Sequence, residues 1–146
     1  MSSSHQRVYK GGPIFDGTQL FHGWAVRFDG DVVAAIGPEH DMKMTGQVID
    51  LEGDMLSPGY VDVQVNGGGG VMFNEAPGIE TLSAMAHAHR RAGSTSILPT
   101  LISDEPKKTR AAIAAVQDAI GAGVPGIAGL HLEGPHLALA RKGAHD

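Results

Sequence analysis

Up to about residue 57 the apolar positions come in short bursts separated by turn residues. Residues 8–10, 23–28 and 32–36 read as strands, and Asp29-Gly30-Asp31 between the last two is a strong hairpin signal. Residues 48–51 and 55–56 continue the pattern, which predicts a small antiparallel sheet for the first third of the chain. At Ser57-Pro58-Gly59 the period changes. Residues 60–66 read as a strand, followed by Gly67 to Gly70 as a flexible loop. Ile79, Leu82, Met85, Ala86, His89 and Ala92 then recur at helical spacing, and Gly93 is placed as a stop.

A second strand is predicted at residues 94–100. Ser103-Asp104-Glu105-Pro106 is the expected cap of an Ala-rich helix over 109–120, ended by Gly121 and Gly123. Residues 127–132 form the third predicted strand. The strand starts lie about 32 to 35 residues apart, which matches a βαβ unit. Repeated units of this kind build a parallel sheet, either doubly wound or part of a (β/α)₈ barrel. A barrel takes about 250 residues, so the barrel reading makes this chain a part of a longer one.

Composition narrows the chemistry more than the fold. Hydrophobic residues make up 42% and charged residues 18%, as in globular domains, whereas 21 glycines among 146 residues point to many tight turns. The net charge is −5 with no cationic stripe, so nucleic acid is not an expected partner. Without cysteine there are no disulfides or thiolate sites, and a metal would have to be held by His, Asp, Glu or amide oxygens. No apolar run reaches the ~18 residues of a membrane span and no signal-like segment opens the chain, which predicts a cytoplasmic protein with no membrane partner.

The chemistry concentrates at strand ends. In residues 60–66 polar residues alternate with valines, so Asp62, Gln64 and Asn66 share a face. Such residues need partners, either within a partly open sheet or in the mouth of a barrel. His131 and Glu133 share a face by the same alternation, just before Gly134-Pro135. The carboxyl ends of parallel strands carry ligand sites, so Glu133 is read either as paired with a basic side chain or as a ligand for a divalent cation. Gly67 to Gly70 lack the lysine of a phosphate-binding loop. His87 and His89 are read as structural or solvated, and His5, His22 and His40 have no usable spacing. Lys142-Gly143-Ala144-His145 is a polar loop suited to presenting backbone groups and an imidazole.

Four segments in series, residues 56–67, Leu98-Pro99-Thr100-Leu101, His131-Leu132-Glu133-Gly134-Pro135 and Arg141-Lys142-Gly143-Ala144-His145, resemble the N-acetylglucosamine-6-phosphate deacetylases of the metal-dependent amidohydrolase superfamily. The resemblance implies an α/β chain with residues 1–57 as part of a small β-sandwich. Residues 58–146 are then the first three strands of a truncated (β/α)₈ TIM barrel. It further implies Glu133 as the metal ligand, Gln64, Asn66 and His131 near the metal, and Ala144 and His145 as substrate-binding residues. The implied cofactor is one divalent metal per site, zinc by preference. Many amidohydrolases have His-x-His where this chain has Gln64-Val65-Asn66, and amides are poorer zinc ligands than imidazole, which favours the one-metal subgroup.

The implied reaction is hydrolysis of the N-acetyl group of N-acetylglucosamine 6-phosphate, with a small amino-sugar phosphate as partner and homo-oligomeric full-length members. No catalytic residue of the family falls within the chain. The general-base aspartate and the metal-binding histidines are expected downstream of Asp146, so the chain alone is expected to be inactive. Two other readings stay open. One is a non-catalytic truncated paralogue that binds a sugar phosphate or docks on a full-length subunit. The other is a different amidohydrolase, a cyclic amidase or deaminase.

Overall fold

The computed structural model describes residues 5–143 and divides into two compact units at Pro58/Gly59. In the first unit β1 (Gln6–Lys10), β4 (Trp24–Asp29), β5 (Val32–Pro38) and β6 (Gln47–Asp50) form one sheet in the order β5-β4-β1-β6. The β4–β5 hairpin turns where Asp-Gly predicts it, with Gly30 at φ 61°. The sheet is not purely antiparallel as the pattern suggested, because β6 runs parallel to β1. After β5 the chain passes through a 3₁₀ turn at Glu39–Asp41 and joins the far edge of the sheet, and alternation within a strand carries no information about that choice.

A further hairpin, β2 (Ile14–Phe15) with β3 (Leu20–Phe21), has strands of two residues, too short for any alternation to show. Residues 55–56, expected to be a strand, contribute a single bridge from Leu56 to Ile14. Val8, Ile14, Ala25 and Val26 form the buried centre of this unit. Phe21 stacks on Trp24 with ring centroids 4.1 Å apart, and Tyr9 meets Phe28 edge to face at 5.5 Å.

The second unit carries the alternating strands and helices. β7 (Tyr60–Val65), β10 (Ser94–Ile102) and β11 (His131–Glu133) are all parallel, in the order β11-β10-β7. Helix α1 (Ile79–Arg91) links β7 to β10, and α2 (Pro106–Gly121) links β10 to β11. The apolar stripe Leu82, Met85 and Ala86 of α1 and the small stripe Ala112, Ala115, Val116 and Ala119 of α2 close on Val65, Ile97, Leu101 and Ile127. Helix α1 stops at Gly93, whose φ of 98° suits only glycine, as the sequence indicates.

Two expectations change here, and one is narrowed. Gly67 to Gly70 are not a loose loop: β8 (Gly67–Gly68) pairs antiparallel with β9 (Val71–Met72). Gly69 and Gly70 both have positive φ, the requirement of a two-residue hairpin turn. The His89 ring on α1 bonds the Gly67 carbonyl at 2.9 Å, so this histidine is structural. Ser103 does not cap α2. The helix begins at Pro106 after Glu105, with no side-chain cap.

The third strand is also shorter than expected. Ile97 pairs with Gly126 and Ala128 through the backbone, but the ladder resumes only at Thr100↔His131, with the offset grown from 30 to 31 residues. Pro99 lies in the gap and has no N–H to continue the rungs, so Gly129 and Leu130 fall outside the ladder.

Candidate functional site

The carboxyl ends of β7, β10 and β11 gather the polar groups of this unit. Gln64, on β7, reaches past the central strand and donates from Nε2 to Glu133 Oε2 on β11, at 3.0 Å. That contact requires both side chains on the same face of the sheet, which alternation predicts separately for each strand. No ion pair among the described residues holds Glu133, and its side-chain hydrogen bond comes from the neutral Gln64 amide.

His131 lies opposite Thr100 in the β10–β11 register, and its Nδ1 is 3.2 Å from the Thr100 hydroxyl. Asn66 directly follows β7, where its carbonyl accepts the Phe73 N–H at 2.8 Å. Asp62 does not continue the face of Gln64 as alternation predicts, because β7 spends three residues from Asp62 to Val65 against two of β10 from Ile97 to Pro99, and its Oδ1 accepts the Gln64 N–H at 3.1 Å. Of the polar residues of β7, Gln64 is therefore the one brought to Glu133. Ala144 and His145 lie outside the described residues.

Three further residues build the site and are not singled out by sequence reasoning. Thr100 is fully buried in the middle strand. The Ser103 hydroxyl donates to the Gly134 carbonyl and, at 3.4 Å, to that of Glu133, tying the end of β10 to the exit of β11. The Asn74 side chain acts as a one-residue strand: its Oδ1 accepts the Ile102 N–H at 3.0 Å and its Nδ2 donates to the Ile102 carbonyl at 3.2 Å. The same Nδ2 donates to Asp104, which also pairs with Lys108 at 2.8 Å. The Lys108 ammonium, with the Glu105 N–H and the Asn74 amide, holds the Asp104 carboxyl below its ordinary range against an opposing effect of burial. A polar residue within the apolar run Leu98-Pro99-Thr100-Leu101 is the one sequence signal that marks Thr100. A cleft of ≈ 380 Å³ opens beside these ends, lined in part by Ile102, Ser103, Arg110, Glu133 and His136.

The donor set fits a hard or borderline divalent cation in part. Glu133 offers a carboxylate oxygen steadied by an amide hydrogen bond, the usual support of a ligating carboxylate. No group of three or more His, Asp or Glu able to hold a metal occurs among the described residues, so these strands offer one ligand and not a closed coordination sphere. No helix among the described residues is long and apolar enough to cross a membrane.

No protein-family model matches the chain. Curated relatives and solved structures do. The N-acetylgalactosamine-6-phosphate deacetylase of Shewanella sp. (strain ANA-3) is 52% identical over 95 residues, 65% of this chain and 24% of that protein. The N-acetylglucosamine-6-phosphate deacetylase of Haemophilus influenzae is 33% identical over 132 residues, 90% of this chain and 35% of that protein. The crystal structure of N-acetylglucosamine-6-phosphate deacetylase from Pasteurella multocida superposes with a TM-score of 0.90 at 35% identity, covering 97% of this chain and 37% of that one. The chain thus spans about a quarter to three-eighths of the length of these relatives.

Proposed function

We propose, from this likeness to N-acetylglucosamine- and N-acetylgalactosamine-6-phosphate deacetylases, that the chain supplies the carboxylate corner of an enzyme that hydrolyses the N-acetyl group of an N-acetylhexosamine 6-phosphate to the amine and acetate. The observation that carries the reading is the Gln64–Glu133 pair at the carboxyl ends of parallel strands, in a chain similar to such deacetylases along its length. In this reading β7, β10 and β11 are the first three strands of a (β/α)₈ barrel, and residues 1–57 are part of a β-sandwich. Ala144 and His145 then meet the sugar.

Glu133 would hold one divalent cation, zinc by preference, with the Gln64 amide fixing the carboxylate's orientation. A divalent cation in such a site supplies an acidified water and polarises the amide carbonyl. The chain's own part is to orient one ligand and shape one wall of the cleft.

Relatives of both sugar epimers match the chain, so both substrates belong in the test. The purified 146-residue chain with Zn²⁺ is expected to release no acetate from either N-acetylhexosamine 6-phosphate. A chimera in which this chain replaces the matching part of the Haemophilus relative is expected to release acetate, and Glu133→Gln in that chimera to abolish it. A folded chimera that keeps full activity with Glu133→Gln would overturn the assignment.

A further inference from the structure

Thr100 is the only buried polar side chain among the described residues, and its position is specific. Its Oγ1 accepts the Val65 N–H of β7 at 2.9 Å, lies 3.2 Å from the Leu98 carbonyl of its own strand, and lies 3.2 Å from His131 Nδ1 of β11. Here the β7–β10 ladder shifts register between Ile97 and Pro99, and Pro99 offers no donor to either neighbour. The hydroxyl stands where regular rungs are lost.

One hydroxyl has one proton. The Leu98 carbonyl can only accept, whereas an imidazole nitrogen can donate. All four groups are satisfied in one arrangement: Val65 N–H donates to Oγ1, Oγ1–H donates to Leu98, and His131 donates from Nδ1. A neutral His131 then carries its proton on Nδ1 and leaves a lone pair on Nε2. Val65 directly follows Gln64, and His131 stands two residues before Glu133, so the same hydroxyl sets the two strand ends that meet in the Gln64–Glu133 contact.

We propose that Thr100 is a positioning residue whose hydroxyl joins β7, β10 and β11 at their carboxyl ends, holding His131 as the Nδ1–H tautomer and Gln64 within reach of Glu133. Its value to deacetylation rests on the function proposed above; the network itself does not.

The test uses the ¹⁵N-labelled 146-residue chain with Thr100→Val, which keeps the volume and removes the hydroxyl, and Thr100→Ser, which keeps the hydroxyl and removes a methyl. Three readouts are followed by NMR: the His131 ring nitrogens, exchange of the Val65 amide, and the Gln64 side-chain amide. Wild type and Thr100→Ser are expected to show the Nδ1–H tautomer, a protected Val65 amide and a hydrogen-bonded Gln64 amide. In Thr100→Val the His131 signature is expected to change, Val65 exchange to accelerate about tenfold or more, and the Gln64 amide to become solvent-like.

Thr100→Val spectra that match wild type would overturn the proposal. So would a folded Thr100→Ser that loses the three signatures, since the methyl and not the hydroxyl would then be responsible. If Thr100→Val fails to fold, the serine variant alone decides. None of these readouts needs catalysis, so an inactive chimera would count against the proposed function and leave this result standing.

Discussion

Asp104 shows how single residues answer to pH. Its carboxyl is held below the ordinary range chiefly by the Lys108 ammonium, then by the Glu105 N–H and the Asn74 amide. A depressed folded-state value means that the unfolded chain binds the proton more readily. The stabilisation is complete above the ordinary aspartate value of 3.8 and is lost as pH falls through the lower folded value. Asp104→Asn is therefore expected to lower stability at neutral pH and to flatten its fall as pH drops below 3.8, as urea unfolding over a pH series would show. Equal slopes for the two proteins would exclude the linkage. If the proposed function holds, Gln64→Ala in the chimera costs about 10- to 100-fold in metal affinity or activity, the usual penalty for losing a residue that orients a ligand. Alternation in the sequence sorts the residues of each strand by itself, but that Gln64 and Glu133 meet depends on how the intervening strand sets its neighbours.

Elements in this chain are bounded by glycine and proline for distinguishable reasons. Gly46, just before β6, has φ 79°, and a Cβ built there collides with the Gln6 backbone carbonyl. Gly30, in the β4–β5 turn, has φ 61° with open space around the same position. Gly30→Ala should thus cost only the left-handed conformation, about 1–2 kcal/mol. Gly46→Ala should cost distinctly more, because β6 must also move away from β1. Urea unfolding of the two variants checks this, and equal losses would mean that the parallel β1–β6 pairing yields easily. In the second unit Pro99 has a different effect: by interrupting the rungs it leaves β11 with three residues where the apolar run suggests six.

For the molecule as a whole, the second unit exposes one flank of its sheet. β7 is an edge strand, and Tyr60, Val61 and Val63 on it are 73%, 64% and 61% exposed. An apolar edge with unpaired backbone groups favours pairing between copies. The 146-residue chain is expected to self-associate with rising concentration, and Val63→Lys to reduce this. Light scattering across a concentration series tests it, and association unchanged by the lysine would place the adhesive surface elsewhere.

By itself, the sequence determined the order of the longer strands and the two helices, the β4–β5 turn and the stop at Gly93, because each depends on backbone preference or side-chain period within a few residues. Tertiary structure decided what depends on partners distant in sequence. β6 lies parallel to β1, the four glycines after Asn66 form a hairpin held by His89, and Ser103 bonds to the loop after β11 and not to its own helix. The site follows the same division. The place of Glu133 at the carboxyl end of a strand is legible in the sequence, whereas its amide partner and the buried hydroxyl of Thr100 emerge only when three strands separated by about 35 and 31 residues are set side by side.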